Sequence, residues 1–494
     1  MALPDLIEIA PLEEPVHAEI TVPGSKSITN RALILAALAE GEVTLQGALW
    51  SEDTQIMVEC LQELGFMVNV APDPNEFCNR TITVYGKGGE VPPGGTEQQP
   101  LELFVGNAGT AARFLSAFVC LGKGVYRLHG VPRMHERPQA ALFEALRELG
   151  YRVESEHRND KLPVKICRSR GDETHSKEKI QSLLTSSPTN RFCTVSIKES
   201  SQFASALLLC AKTGNWEIKI SGENADESPY VAMTSELIKA FPKQGGSFQI
   251  EPDASSGSYF WAAATWTWAE LKRDEQDGEM YSESIPRVMV KAWPKTGWQI
   301  DSRFLLWIID FAMDSTWTGY YPPEFMAKRY GTDWRTKEPL LESEGYEKVT
   351  TSRRTDLGDS IMTAIAIAPF GMLSARFTDL GRLRVQECER VIALRTELTK
   401  CGAKVVEEGD TLTVYPSQLH GAEIETYNDH RMAMCFAILG LKVQGIKIKN
   451  PACVKKTFLN FFQKLAAQPP HGLGAKILDG KTGRTLTHEE LFAD

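Results

Sequence analysis

Short polar patches that run straight into apolar helical stretches recur six times along this 494-residue chain. Such patches are typical of helix starts, where Ser, Asp, Asn and Gly cap the first turn. They read GSKSITN from Gly24, GNAGT from Gly106, ESSQF from Glu199, DASSG from Asp253, LGDS from Leu357 and YNDH from Tyr427. A recurring unit of this kind limits the chain to architectures built from repeats.

Cations follow several of these helix starts. A helix start leaves backbone N–H groups unbonded and carries the positive end of the helix dipole, so it attracts phosphate or carboxylate. Lys26, Arg31, Arg113 and Arg431 stand close behind the patches. A cation there opposes the dipole by up to about 1 kcal/mol, and an anionic ligand would remove the conflict. One patch alone indicates only capping, but several with cations predict an anion site.

The repeats predict an α/β fold. The stretches 24–70 and 106–155 each read helix, strand, loop, helix, strand, and later stretches follow the same order, with the one from Asp253 the least regular. A chain of this length indicates about two domains. Between Leu271 and Arg354 the pattern blurs into a tryptophan-rich segment. We expect an elaborated surface subdomain there rather than a platform that stacks a ligand.

Composition excludes several classes of protein. The net charge of −10 argues against a protein that coats nucleic acid or an anionic membrane. No window is long and apolar enough to span a bilayer, and the first residues lack targeting features, so we expect a cytoplasmic protein. The ten cysteines are scattered, which predicts reduced, buried side chains. The histidines show no metal-ligand spacing, so we expect no metal.

Eight segments together carry a resemblance to a known family. They read PGSKSITNRALILAALA, LFVGNAGTAARFL, GVPRMHERP, SSQFASALLL, DASSGSYF, VQECERVIALRTEL, YNDHRMAMCFAILGL and KKTFLNFFQKLA. Their order is similar to that of the 3-phosphoshikimate 1-carboxyvinyltransferase family, the enolpyruvyl shikimate phosphate synthases. The resemblance runs from about Val16 to Ala467, and the stretch from Leu271 to Arg354 is its weaker part.

The resemblance implies a two-domain enolpyruvyl transferase fold with six βαβαββ repeats, an inside-out α/β barrel. One three-repeat domain is expected at residues 22–251. The second is expected at residues 1–21 plus 252–467, because the chain would leave that domain and return to it. Residues 468–494 lie outside the repeat pattern and are predicted as a C-terminal extension.

The family's reaction, which the resemblance implies, moves the carboxyvinyl group of phosphoenolpyruvate to the 5-hydroxyl of shikimate 3-phosphate and releases phosphate. It passes through a tetrahedral adduct and uses neither a metal nor an organic cofactor. Two phosphates and two carboxylates must therefore be held by protein groups alone. We expect these two small molecules as the partners, no nucleic acid and no membrane, and a monomer.

The resemblance also implies which residues contact the substrates. Shikimate 3-phosphate is expected to contact Lys26, Ser27, Arg31, Ser200, Ser201, Gln202 and Tyr230. Phosphoenolpyruvate is expected to contact Lys26, the loop residues Asn107, Gly109, Thr110 and Arg113, and the cations Arg137, Arg390, Arg431 and Lys456. Bidentate guanidinium pairing suits both the carboxylate and the phosphate of phosphoenolpyruvate.

Two carboxylates resemble the family's acid and base. Asp359 is expected to take the proton of the 5-hydroxyl, while Glu387 and Lys26 serve the methylene carbon. Positioned acid and base groups typically contribute about 10²–10⁴-fold each. Taken without the motif series, Asp359 reads as a helix cap and Glu387 as part of a solvated helix face.

Three positions depart from the family's pattern. Gln386 stands where the family carries a lysine near the shikimate ligand, and Arg382 stands where it carries an asparagine. Glu227 stands where a serine is expected, although Ser228 could take that role beside Tyr230. A charged hydrogen bond is worth about 1.5–3 kcal/mol, so such losses weaken binding without abolishing the chemistry.

Two other functions remain open from the sequence. UDP-N-acetylglucosamine enolpyruvyl transferase shares the fold but uses a loop cysteine, and PRMHERP contains none. A homologue that binds an anionic metabolite without catalysis is the other alternative. It has no need of two carboxylates beside its cations, so turnover would separate it from an enzyme.

Overall fold

The computed structural model describes residues 3–14, 16–168, 191–222, 228–267, 271–273, 280–282, 288–311, 349–371 and 373–493. The chain divides into two compact units, residues 24–251 and residues 1–23 with 252–494. Glu227 and most of the tryptophan-rich segment lie outside the described residues. Within the described part, no helix combines the length and apolarity needed to cross a membrane.

The interior of each unit is built from helices that are buried on nearly all sides. Helix Lys26–Leu38 buries every residue from Ile28 to Ala37. Helix Ile361–Ile367 is wholly buried, and His430–Gly440 is buried except at Arg431. Such helices are stable only where neighbours cover every face. Strands such as Tyr151–Ser155 alternate buried with more exposed residues, so one face of their sheet lies outward.

The described residues of unit 24–251 form two four-stranded sheets and one parallel pair of strands. Each four-stranded sheet has a parallel first pair followed by two antiparallel pairs. The strands, in spatial order, are Gly246–Gln249, Glu40–Leu49, Asn79–Lys87 and Val68–Pro72 in the first sheet, Leu101–Phe104, Val125–His129, Val164–Arg168 and Tyr151–Ser155 in the second, and Arg191–Ser196 with Trp216–Ser221 in the pair. The helices are Lys26–Leu38, Glu52–Glu63, Gly109–Phe118, Pro132–Glu136, Ala140–Glu148, Ser201–Gly214 and Ser228–Ala240.

The other unit repeats the same sheet pattern. Its strands, in spatial order, are Val349–Ser352, Ala375–Thr378, Thr411–Val414 and Val405–Glu408 in one sheet, Glu423–Ile424, Ile446–Lys449, Leu6–Ile9 and Ile477–Asp479 in another, Val288–Val290 with Ala18–Ile20 in a parallel pair, and Leu271–Arg273 with Met280–Ser282 in a hairpin. Its α-helices are Ala254–Thr267, Ile361–Ile367, Arg390–Lys400, His430–Gly440 and Phe461–Ala466, and a further helical segment covers 304–311.

The C-terminal tail differs from its prediction as an extension outside the repeats. Strand Ile477–Asp479 pairs antiparallel with Leu6–Ile9 near the start of the chain. Together with Glu423–Ile424 and Ile446–Lys449 these strands give the same parallel, antiparallel, antiparallel order as the other sheets. The tail therefore completes the last repeat. Three residues are too few for an alternating pattern, so the sequence does not reveal this strand.

Candidate active site

In unit 24–251, Arg31 on helix Lys26–Leu38 contacts helices Ser201–Gly214 and Ser228–Ala240. Its Nε donates to Thr234 Oγ1 at 2.7 Å, and Nη2 donates to Ser205 Oγ at 3.0 Å. Nη1 donates to the carbonyl of Ser27 at 2.8 Å. The Arg31 side chain is buried and these bonds fix the backbone beside Ser27, so its cationic charge is held rigidly inside the unit.

A second network in this unit links two helix starts through Gln202. Gln202 Nε2 donates to Thr110 Oγ1 at 3.0 Å, and Gln202 Oε1 accepts from Arg113 Nη1 at 2.5 Å. Arg113 Nη1 also donates to Ser200 Oγ at 3.2 Å. Ser200 caps its helix by accepting the N–H of Gln202, and Ser201 beside it is buried. The predicted residues from two distant motifs thus form one hydrogen-bonded set.

Two further cations of this unit have defined partners. Lys26 Nζ lies 3.1 Å from Asp53 Oδ2. Arg137 Nη1 donates to the carbonyl of Asn107 at 3.1 Å. A Cβ atom on Gly109 would lie 2.5–2.6 Å from the Arg137 guanidinium, so the absence of a side chain at Gly109 permits this approach.

In the other unit, three arginines lie within 4 Å of the Asp359 carboxylate among the described residues. Arg353 Nη2 donates to Oδ1 at 2.8 Å. Arg431 Nη2 lies 3.3 Å and Arg390 Nη1 lies 3.9 Å from Oδ2. Burial by itself raises the pKa of Asp359, but Arg431, Arg353 and Arg390 together hold it well below its usual range. The contacts of Asp359 that the described residues show are therefore those of a charged cluster, not those of a helix cap.

Arg390 connects the cluster around Asp359 to two further acids, Asp429 and Glu387. Its Nε donates to Asp429 Oδ2 at 2.7 Å, and its Nη2 donates to Glu387 Oε2 at 2.8 Å. Lys456 Nζ donates to Glu387 Oε1 at 2.6 Å. Asp429 also caps helix His430–Gly440 by accepting the N–H of Arg431. Glu387 is thus shared between two cations instead of belonging to a solvated helix face.

Asp301, which the sequence did not single out, supports the turn that carries Asp359. Its Oδ1 accepts from Ser255 Oγ at 2.6 Å and from the N–H of Ser360 at 2.7 Å. The side chain is buried. Burial and the nearby charge of Asp359 raise the pKa of Asp301 to about 6 from its ordinary 3.8.

The raised pKa of Asp301 gives a pH-dependent stability. Between its unfolded and folded pKa values the native protein binds a proton that the unfolded chain releases, so stability falls as pH rises through that window. We expect Asp301→Asn to remove this fall, on the order of 1–3 kcal/mol. The pKa of Asp359 is lowered, so its ionised carboxylate stabilises the native protein at neutral pH. That stability is lost only at a pH below the window in which Asp301 titrates.

Urea unfolding of the parent and of Asp301→Asn at about pH 4.5 and about pH 7.5 measures the effect. Asp479→Asn is a matched control, because Asp479 also accepts two hydrogen bonds, from the N–H groups of Lys481 and Thr482, yet its pKa is lowered by them. Equal pH dependence in the parent and in Asp301→Asn would contradict the assignment.

Two predicted binding residues carry a buried amide oxygen without a hydrogen-bond partner among the described residues. They are Asn107 Oδ1 and Gln386 Oε1. A buried acceptor left unbonded costs about 1–3 kcal/mol, and a ligand hydroxyl or N–H would supply the missing bond. Both residues therefore have the chemistry of contacts that are completed by a ligand.

Tyr230, another predicted binding residue, is half-buried, and its backbone carbonyl accepts a hydrogen bond from Thr234 Oγ1.

Comparison with known proteins decides the family. The family model described as EPSP synthase (3-phosphoshikimate 1-carboxyvinyltransferase) matches residues 12–244 and 324–465. The chain belongs to the EPSP synthase family. The predicted resemblance is therefore confirmed.

Curated EPSP synthase relatives match almost the whole chain. The 3-phosphoshikimate 1-carboxyvinyltransferase of Trichormus variabilis is 34% identical over 488 residues, covering 93% of this chain and 98% of the relative. That of Opitutus terrae is 35% identical over 493 residues, covering 94% and 98%. The chloroplastic protein of Solanum lycopersicum is 32% identical over 495 residues, covering 95% and 85%.

Solved structures show the same fold at low sequence identity. The EPSP synthase of Acinetobacter baumannii matches with a TM-score of 0.61 and 17% identity, covering 96% of this chain and all of that chain. The enolpyruvyl transferase NikO of Streptomyces tendae matches with a TM-score of 0.54 and 14% identity, covering 98% and 99%. The predicted α/β enolpyruvyl transferase fold is confirmed.

Sequence reasoning about this EPSP synthase family member missed three charged residues that contact predicted site residues or support them. Asp53 follows the cap of helix Glu52–Glu63, a position where an acid is common for the dipole alone. Asp301 and Arg353 fall in the segment where the repeat pattern blurs. Their partners lie far along the chain or across an irregular turn, so no local spacing marks them.

Proposed function

We propose that the chain transfers the enolpyruvyl group of phosphoenolpyruvate to the 5-hydroxyl of shikimate 3-phosphate, giving 5-enolpyruvylshikimate 3-phosphate and phosphate. The observation that carries this proposal is the Asp359 carboxylate contacted by Arg353, Arg390 and Arg431. A proton acceptor beside several cations suits a reaction between a hydroxyl group and a multiply charged anion. The names of the curated relatives support the same activity.

The proposed contacts follow the charges of the two substrates. The phosphate and carboxylate of phosphoenolpyruvate would be held by Arg137, whose guanidinium lies beside Gly109, and by Arg390, Arg431 and Lys456. Shikimate 3-phosphate would be held by Lys26 together with Ser27, Arg31, Ser200, Ser201, Gln202 and Tyr230. Guanidinium groups pair with both oxyanions in a bidentate way, which favours arginine for the phosphoenolpyruvate side.

Addition removes a proton from the 5-hydroxyl and places one on C3, and elimination returns a proton from C3 to the group that supplied it. Asp359 would accept the 5-hydroxyl proton while that oxygen bonds to C2 of phosphoenolpyruvate, and Glu387 or Lys26 would give a proton to C3. The tetrahedral adduct then loses a proton from the new methyl group, and its C2–O bond to phosphate breaks. The net products are the enol ether and inorganic phosphate.

Substrate binding would also prepare Asp359 as a base. With Arg353, Arg390 and Arg431 against it, the carboxylate has a lowered pKa and is a weak base. Anionic phosphoenolpyruvate on Arg390 and Arg431 would offset their charge, so the pKa of Asp359 would rise toward a useful value. The base would then be strengthened only when the substrate is present.

Phosphate release measured with purified protein, shikimate 3-phosphate and phosphoenolpyruvate tests the proposal. We expect phosphate and 5-enolpyruvylshikimate 3-phosphate in equal amounts, and no release when either substrate is omitted. UDP-N-acetylglucosamine in place of shikimate 3-phosphate should give no release. Saturable binding of shikimate 3-phosphate without turnover would instead favour the binding-only alternative. The monomeric state and the cytoplasmic location stay predictions.

A further inference from the structure

Arg353 is a buried cation that the proposed substrate contacts do not use. Its side chain is 2% exposed, and its Nη2 donates to Asp359 Oδ1 at 2.8 Å. This is the shortest of the three arginine contacts with Asp359 among the described residues. Removing one partner of a buried ion pair is strongly unfavourable, so the contact restrains the carboxylate.

The two oxygens of Asp359 have different surroundings. Oδ1 accepts the hydrogen bond from Arg353. Oδ2 faces Arg431 at 3.3 Å and Arg390 at 3.9 Å, the two cations assigned to phosphoenolpyruvate. Oδ2 therefore lies on the side where substrate is proposed to bind, and Oδ1 is anchored away from it.

The backbone between Arg353 and Asp359 is also restrained. Arg353–Leu357 forms a single wide turn, capped by Ser352 Oγ, which accepts the N–H groups of Arg354 and Thr355. Gly358 follows with φ +59°, where a Cβ atom would lie 2.6 Å from Ile300 and 2.8 Å from Asp301. A side chain at this position would be strained, so glycine is what permits the close approach of Ile300 and Asp301 to the turn.

We propose that Arg353 is a positioning residue that holds Oδ1 of Asp359 so that Oδ2 accepts the proton of the 5-hydroxyl group. The inference rests on the proposed function and assigns separate tasks to the two oxygens. Once substrate anions engage Arg390 and Arg431, Arg353 keeps the carboxylate in place. A small displacement of a reacting group can lower the rate by about 10²-fold.

The charged groups that face Asp359 set the expected pH response. Arg353, Arg390 and Arg431 lower its pKa, and the acid Asp301 lies close enough that the charge of Asp359 raises the pKa of Asp301. Removing the charge of Arg353 weakens the stabilisation of the ionised carboxylate, so its pKa rises. The acidic limb of the pH profile of kcat, which reports groups in the substrate complex, should then move to higher pH.

The test compares steady-state kinetics of the parent, Arg353→Ala, Arg353→Lys and the control Arg354→Ala. Arg354 is the neighbouring residue, its side chain is 41% exposed, and its ion-pair contact with Asp379 is 4.0 Å long. We expect Arg353→Ala to lower kcat about 10–100-fold with both KM values within about threefold, and to shift the acidic limb upward. Arg353→Lys should restore the position of the limb and part of kcat, while Arg354→Ala behaves as the parent.

Each outcome decides for or against the inference. A kcat within about twofold of the parent, or a lower kcat with an unchanged acidic limb, would overturn the positioning role. Should near-UV circular dichroism show that Arg353→Ala does not fold, Arg353→Gln is judged by the same two measurements. Absence of turnover in the parent would overturn the proposed function and this inference with it, whereas an active parent with unaffected Arg353 variants overturns the inference alone.

Discussion

Replacement of Asp359 by asparagine is expected to lower kcat by about 10²–10⁴-fold, because the amide cannot accept the 5-hydroxyl proton. Asparagine keeps the shape of the side chain, and its oxygen can still accept from Arg353. The cations Arg390 and Arg431 would remain available for phosphoenolpyruvate. The KM for phosphoenolpyruvate should therefore stay within about tenfold of the parent, while kcat carries the loss.

Single-turnover and steady-state phosphate release measure this effect. Asp410→Asn is the matched control, because Asp410 lies in the same unit with a side chain that is 60% exposed and paired to Arg384. We expect it to keep the parent's kcat. A kcat for Asp359→Asn within about tenfold of the parent would remove Asp359 from the role of base.

The largest expected loss of stability follows Asp429→Ala. Asp429 is fully buried and pairs with Arg390, whose side chain is 1% exposed. Breaking a buried pair by removing one partner costs about 3–5 kcal/mol, and loss of a helix cap costs about 1 kcal/mol more. Helix His430–Gly440 would also lose the bond to its Arg431 N–H. We expect a correspondingly lower urea midpoint for this variant.

Asp253→Ala is the control for Asp429→Ala, because it removes a helix cap without removing an ion pair. Asp253 Oδ1 accepts the N–H of Ser256 at the start of helix Ala254–Thr267, and no ion pair is found for it among the described residues. Its replacement should cost about 1 kcal/mol, the usual value for a cap. Similar losses in the two variants would show that the pairing of Asp429 with Arg390 adds little to stability.

The sequence predicted the helix starts because their signals are local. A polar cap followed by an apolar run fixes a helix within one or two turns, and helices begin at Lys26, Gly109, Ser201, Ala254 and His430 close to the predicted patches. The order of helices and strands and the α/β class followed from these patterns, and the family followed from the order of eight motif segments. The substrate roles of the individual residues stay predictions that the kinetic experiments test.

Sequence by itself therefore determined the repeat, the fold class and the family, since each depends on neighbours within a few turns or on motif order. Tertiary structure alone decided the pairing of Ile477–Asp479 with Leu6–Ile9, the support of Ser360 by Asp301, and the contact of Arg353 with one oxygen of Asp359. These features join segments through packing and irregular turns. Their energies depend on distance and burial in space, which residue spacing along the chain does not encode.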